Sequence, residues 1–206
     1  MNKKVSSAVV KRLPRYYRYL GELLKQNVDK ISSKELAKMM DVTASQIRQD
    51  LNCFGGFGQQ GYGYNVSELH STLSKILGIN RAQDIIIIGA GNLCHALSNH
   101  AGFSKRGFNL VAIFDNDKEK IGTEINGIKV LSVSELGDFI SKNNVRHAIL
   151  TLPKNHTQEV ADIVVSHGVR GLWNFSNMDL NVPDDVCVEN VHLLDSLMTL
   201  SFNVNN

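Results

Sequence analysis

Apolar positions recur every three or four residues along the first eighty residues, and beyond them they gather into short unbroken runs. The first spacing is that of helices packed on one face; the second is that of strands buried on both. Over Arg12 to Gln26, Leu13, Tyr16, Tyr17, Leu20, Leu23 and Leu24 share one stripe, which predicts an amphipathic helix around Pro14. Ser32-Ser33-Lys34-Glu35 fits a capping box opening a short helix with Leu36, Ala37, Met39 and Met40. Asp41-Val42 then turns the chain into another helix, Thr43 to Phe54, on which Ile47 and Leu51 form the apolar stripe. Ser45, Gln46, Arg48, Gln49 and Asn52 are left facing outward, all of them side chains that contact bases and phosphates. Two short capped helices across a tight turn match a helix-turn-helix motif. From Phe54 to Tyr64 glycines alternate with aromatics in the manner of a β-hairpin wing. A helix from Asn65 to Leu77, ended by Gly78, joins two domains that meet near residue 80.

Beyond that boundary strand and helix patterns alternate, which implies a parallel sheet. Strands are expected at Asp84 to Ile88, Leu110 to Phe114, Ile128 to Leu131 and His147 to Leu152, and near Arg170 to Trp173 and Val186 to Glu189. Helices are expected from Asn92, near Ser134 to Ser141, and from His156 to Ser166. The fold class is therefore α/β: a winged helix-turn-helix domain (1–80), a Rossmann-like parallel-sheet domain (81–190) and a C-terminal helix (191–206).

The strand run Ile85-Ile86-Ile87-Ile88 opens into Gly89-Ala90-Gly91-Asn92-Leu93-Cys94, the beginning of a dinucleotide fingerprint. Glycine in such a turn lets backbone N–H groups and a helix N-terminus approach a pyrophosphate. Cys94 stands where the third glycine is usual, so slightly wider helix-to-strand packing is expected. Asp115, at the end of the second strand, is placed to accept hydrogen bonds from a ribose and to disfavour the 2′-phosphate of NADP.

The 206 residues, 43% of them hydrophobic, suffice for one medium core and a smaller one. The net charge of +2 conceals a division: residues 1–80 hold 12 Lys/Arg against 6 Asp/Glu, a balance of +6, and residues 81–206 hold 10 against 14, or −4. A basic front domain suits a binder of phosphate backbone. Cys53, Cys94 and Cys187 have neither zinc-ligand nor disulfide-framework spacing, so no metal is expected. No apolar run reaches a membrane span and no signal-peptide core follows the N-terminus, which places the protein in the cytoplasm.

These motifs, taken together, resemble the Rex redox-sensing transcriptional repressors along nearly the whole chain. The resemblance rests on Arg12-Leu13-Pro14 with Tyr16-Tyr17-Arg18-Tyr19-Leu20, Ser32-Ser33-Lys34-Glu35-Leu36, Gln46-Ile47-Arg48 with Asp50-Leu51, Gly61-Tyr62-Gly63-Tyr64 and Gly89-Ala90-Gly91-Asn92-Leu93. Phe114-Asp115, Lys120-Ile121-Gly122, Leu150-Thr151-Leu152-Pro153, Gly171-Leu172-Trp173-Asn174-Phe175 and Asn181-Val182-Pro183 extend it. It implies a homodimer that binds NAD+ and NADH, represses from a palindromic operator in double-stranded DNA and leaves it when NADH binds. It implies that Lys120, Thr151 and Pro153 join Gly89 to Cys94 and Asp115 around the dinucleotide. It also implies that Arg12, Ser33, Thr43, Gln60 and Tyr64 join Ser45, Gln46, Arg48, Gln49 and Asn52 at the DNA. The tail, with Leu193, Leu194, Leu197, Met198, Leu200 and Phe202, matches a helix swapped between subunits, packing on its own subunit being the other reading.

Departures from the family pattern cluster at functional points. Gln49 stands for a usual Lys, Asn52-Cys53 for Ser-Tyr, and Gln59 and Gln60 for basic wing residues, which should weaken phosphate attraction. Among the expected switch residues Arg18 is kept, while His192 replaces its acidic partner and His100 an aromatic Tyr. A neutral His cannot supply a carboxylate's charge-assisted bond, though Asp195 could substitute. Two rival readings stand beside the repressor. One is an NAD-dependent oxidoreductase, for which His156 is the most catalytic-looking side chain but no Tyr-x-x-x-Lys pair exists. The other is a DNA-binding regulator that has lost dinucleotide sensing or takes another adenine ligand such as coenzyme A. Cys53 is expected to be buried filler, the other reading being an oxidant-responsive thiol.

Overall fold

A computed structural model of the chain describes residues 5–57, 62–100 and 102–205, in two units, Met1–Asn80 and Arg81–Asn206. In the first, the Ser6 side chain accepts from the Val9 N–H and starts helix α1 (Ser7–Lys25), which thus begins at Ser7 rather than Arg12. Pro14 lies inside it, where its ring removes one N–H. The carbonyl that loses its partner is that of exposed Val10, where water can reach it. Strand β1 (Lys30–Ile31) leads to α2 (Ser33–Met40), opened by the reciprocal Ser32–Glu35 capping box and closed by Asp41 in the left-handed region at φ 53°. Thr43 caps α3 (Ala44–Asn52), and α4 (Val66–Ile76), capped by Asn65, packs along α1. Leu13, Tyr16, Leu20, Leu36, Met40, Ile47, Leu51, Val66, Leu69 and Leu73 meet in one core.

Residues 58–61, the centre of the hairpin wing expected within Phe54–Tyr64, lie outside the described residues. Strand β2 (Tyr64–Asn65) pairs antiparallel with β1, ahead of the two short helices, and the adjoining Val66 N–H donates to Asp29. That pairing closes the core over Tyr64 and Ile31, both buried. Gln59 and Gln60 lie outside the described residues.

The second unit is built on a seven-stranded sheet ordered β5-β6-β4-β3-β7-β8-β9. Its strands are β3 (Gln83–Ile88), β4 (Phe108–Asp115), β5 (Glu124–Ile125), β6 (Ile128–Ser132), β7 (His147–Leu150), β8 (Gly171–Asn174) and β9 (Cys187–Asn190). All pairings are parallel except β5 with β6. Without that short edge strand the order, counted along the chain, is 3-2-1-4-5-6, that of a dinucleotide-binding doubly wound sheet. The all-apolar run of β3 is explained by alternation. Ile86 and Ile88 join Phe114, Leu150 and Leu172 beneath α7 (Leu136–Asn143) and α8 (Lys154–Ser166), while Ile85 and Ile87 join Ile113 and Ile149 on the opposite face. That face also holds α5 (Asn92–Ser98) and α6 (Gly102–Lys105), the latter too short to leave a periodic signal. Helix α9 (Leu193–Asn205) ends the chain with no buried residue.

Candidate nucleotide cleft and nucleic-acid interface

The sheet order reverses between β3 and β7, and their carboxyl ends open a cleft of about 520 Å³, within the usual range of ligand sites. Gly89, Gly91, Asp115, Lys120, Thr151 and Pro153 line it, so six of the ten expected dinucleotide residues come together. Asn116, Asp117, His156 and Glu159 line it too, beyond those expected. Only their nearness to Asp115 and Pro153 in sequence could have pointed to them.

Gly89 and Gly91 occupy the turn for different reasons. Gly89 sits at φ +103°, and a Cβ there would come within 2.6 Å of the Thr151 carbonyl oxygen. The chain itself demands that glycine. Gly91 has φ −95° and ψ −172°, open to any residue, and a Cβ on it would meet nothing within 4 Å. Neither the backbone conformation nor the described neighbours require glycine there, and the open space over the turn leaves room for close approach of a ligand. The chain thus fits a pyrophosphate-bearing dinucleotide on the Gly91 backbone at the start of α5, where Asn92 is exposed and Leu93 half-buried.

One expectation about the cleft needs correction and another gains a second role. Asp115 lines the cleft and is already engaged within the chain: one oxygen accepts the Ala90 N–H at 2.7 Å and the Lys120 ammonium at 3.3 Å, the other the Asp117 N–H at 2.8 Å. Its carboxylate fastens the glycine turn, and the Ala90 N–H is turned toward it rather than outward. Burial works to raise the Asp115 pKa, but hydrogen bonds from Asp117, Ala90 and Lys120 outweigh it and hold the pKa low, so the carboxylate is charged. Cys94, in turn, contributes nothing to the cleft by its side chain. It is fully buried between Ile85, Ile87 and Ile113, and burial, reinforced by Asp115, raises its pKa to about 11. The core closes around the thiol.

On the first unit, Ser45, Arg48, Gln49 and Asn52 are exposed on α3. Arg48 reaches across to α2, its guanidinium donating to the Ser33 hydroxyl at 3.1 Å, which sets one cation at the mouth of the two-helix motif. The Thr43 hydroxyl caps α3, accepting from the Gln46 N–H, and the Tyr64 side chain is buried in the core. Two residues expected to face DNA are held inward. The Gln46 side chain donates to Asp50 at 2.9 Å, and Arg12 donates to the same carboxylate through Nε at 2.6 Å and Nη2 at 2.8 Å. The Tyr16 hydroxyl adds a bond of 2.7 Å. Asp50 is 1% exposed, at i, i+3 and i+4 with Ile47 and Leu51 on the inward stripe. An acid on an apolar face was the signal that such a hub existed. Burial pushes its pKa up, and the bonds from Arg12, Tyr16 and Gln46 push it further down, so the ion pair is held charged. Cys53, at the end of α3, is exposed rather than buried, its thiol donating to the Gln49 carbonyl.

Of the expected switch residues, Arg18 is exposed, with its guanidinium 5.4 Å from the Tyr19 ring centroid. His100 is exposed and its Nδ1 accepts the Gly102 N–H, while half-buried His192 follows β9. On α9, Leu193, Leu194, Leu197, Met198, Leu200 and Val204 are all more than half exposed. Among the described residues no His/Cys/Asp/Glu group could hold a metal, and no helix is long and apolar enough to cross a membrane.

Comparison with known proteins adds to this geometry. Residues 4–52 match the family described as "Putative DNA-binding protein N-terminus", and residues 80–178 match "CoA binding domain". The chain is 56% identical over 203 residues to the redox-sensing transcriptional repressor Rex of Clostridium botulinum strain Hall, covering 98% of this chain and 97% of that protein. Identity to the Rex repressor of Thermoanaerobacter pseudethanolicus is 55% over 202 residues, covering 98% and 90%. Among solved structures, it is similar to RSP in complex with β-NAD+ and operator DNA, with TM-score 0.93, 55% identity and coverage of 98% and 93%. It is also similar to RSP in complex with β-NADH, with TM-score 0.91, 52% identity and coverage of 98% and 95%.

Proposed function

The chain belongs to the Rex family of redox-sensing transcriptional repressors, and from that premise we propose that it represses by binding a palindromic operator and releases it when NADH outcompetes NAD+. The observation that carries the sensing half is Gly91, a glycine that no neighbour in the chain requires, in the turn that lines the cleft. Gly89 to Leu93, Lys120, Thr151 and Pro153 are read as the dinucleotide cradle, with Asp115 fixing the turn and Lys120 beside it. The role is regulatory rather than catalytic and its place is the cytoplasm. Turnover of a nicotinamide substrate would contradict the first of these.

For DNA, Arg48 with Ser33, and Ser45, Gln49 and Asn52, form the reading face. Arg12 and Gln46 act one step behind it by fixing α3 through Asp50. Arg48→Ala is therefore expected to weaken operator binding about tenfold and to leave NADH affinity unchanged. Filter binding and calorimetry on the same preparation check both, and equal operator affinity would remove Arg48 from the interface. A dimer follows from α9: a helix with this much apolar surface is stable in water only when covered, and a second copy covers it symmetrically. Monomers in sedimentation would contradict that reading.

The experiment for the whole proposal is release of operator DNA by NADH but not by NADPH. The match of residues 80–178 to a coenzyme A-binding family makes coenzyme A the control ligand. Release by coenzyme A and not NADH would replace the sensing reading while keeping the DNA reading.

A further inference from the structure

Asn174, the last residue of β8, has a fully buried side chain whose amide is completely used. Its nitrogen donates to the Met178 carbonyl at 2.9 Å and to Asn190 Oδ1 at 2.8 Å, and its oxygen accepts from the Ser176 N–H at 3.0 Å and the Ser176 hydroxyl at 2.6 Å. An amide has two donors and two acceptor sites, and all four are occupied. The Asn174 backbone carbonyl accepts from the Val191 N–H at 2.8 Å, while Asn190, its register partner on β9, donates to Asp179 at 3.2 Å. One buried side chain thus ties together the turn after β8 and the point where the chain leaves β9 for His192 and α9. On the cleft side the next residue, Phe175, donates its N–H to the Leu150 carbonyl, adjoining Thr151. The rings of Phe175, Trp173 and Phe103 run on to that of His100 in successive contacts of 4.7, 6.2 and 5.9 Å.

We propose that the Asn174–Asn190–Asp179 network is a positioning device of the sensor: it fixes the direction in which α9 leaves the sheet and so passes the state of the cleft to that helix. This rests on the NADH-responsive reading above. A buried amide with all four of its hydrogen-bonding positions filled, as in Asn174, holds one geometry and loses it sharply when a partner fails, which suits a rigid link between two movable parts. None of its three residues lines the cleft, so its effect falls on transmission and not on ligand affinity.

The polarity of the network supplies the test. In Asn190→Asp the oxygen facing Asn174 is kept, but a second carboxylate oxygen is set against Asp179, and like charges repel. Adding Asp179→Asn returns a donor to that contact with its direction reversed. Two quantities are read on the full-length protein: NADH affinity by calorimetry, and the NADH concentration that releases half the operator complex. In Asn190→Asp the ratio of the second to the first is expected to change about tenfold with affinity held within about twofold, and the double variant is expected to restore the ratio. Should Asn190→Asp unfold, as a thermal melt would reveal, Asp179→Ala, which removes one exposed bond, is expected to change the ratio about threefold in the same sense. An unchanged ratio in the folded variant, or a double variant no better than the single one, would overturn the proposal while leaving NADH sensing intact. A wild-type protein that ignores NADH would overturn the sensing reading and this device with it.

Discussion

Gly91→Val is expected to lower NADH affinity about a hundredfold, equivalent to about 2.8 kcal/mol, without lowering the thermal unfolding temperature of the chain by more than about 4 °C. The expectation rests on the contrast between two glycines two residues apart. At Gly89 any side chain would strike the Thr151 carbonyl and sit at positive φ, so Gly89→Ala should damage folding and binding together. At Gly91 a Cβ is free of strain and of contacts in the chain, so valine costs the fold chiefly the difference between the two residues as a helix N-cap, about 1 kcal/mol. What valine fills is the space into which a pyrophosphate must come to meet the backbone. Calorimetry with NADH beside a melting curve separates the two effects. Wild-type affinity in Gly91→Val would mean that the ligand does not lie on this turn.

Asp50→Ala is expected to destabilise the first unit by about 3 kcal/mol and to abolish operator binding, leaving NADH binding in the second unit in place. Removing the carboxylate strands the Arg12 guanidinium, the Tyr16 hydroxyl and the Gln46 amide around a buried void, and breaking a buried pair by deleting one partner costs several kcal/mol. The figure is set at the low end because the Arg12 side chain is one-quarter exposed and water can solvate part of its charge. The same carboxylate gives the unit a pH dependence of definite sign. Folding lowers its pKa, so its stabilisation is complete above the ordinary carboxylate range, about 4, and is lost as pH falls through the lower folded value. Urea unfolding of the full-length protein at neutral pH and near pH 3 should show wild type losing stability in acid and Asp50→Ala losing less. Equal acid sensitivity in the two proteins would remove Asp50 from that role.

The large features were legible because they follow from patterns that tertiary context seldom overrides. The β3 run, buried on both faces, the Ser32–Glu35 capping box and the Gly89-Ala90-Gly91 turn each state a local requirement that the structure satisfies in place. The misread features depend on partners distant in sequence. Strand β2, after the glycines and aromatics that follow Phe54, pairs with Lys30–Ile31, a partner that no local pattern announced. Gln46 and Arg12 were assigned to DNA by residue type, whereas Asp50, reached across the core by Arg12, draws both inward. Asp115, placed at a ribose by its position after β4, also binds the glycine turn and Lys120, contacts that its residue type alone did not announce. For Gln46 and Arg12 a polar side chain was assigned by type before its buried competitor was known. Exposure misled in the other direction at Cys53, which no periodicity placed, and at α9, where an apolar stripe identifies a helix that must be covered without naming what covers it.

The claim on which the account stands is that a dinucleotide in the cleft decides whether the basic unit holds its operator. Its most direct test is a titration of the complex with a palindromic duplex, selected by the protein itself from randomised DNA, using NADH, NAD+ and NADPH while fluorescence anisotropy follows the DNA. NADH is predicted to release the duplex at concentrations that NAD+ shifts upward by competition, with NADPH without effect. Retention of the duplex at saturating NADH, with calorimetry showing the ligand bound, would contradict the account.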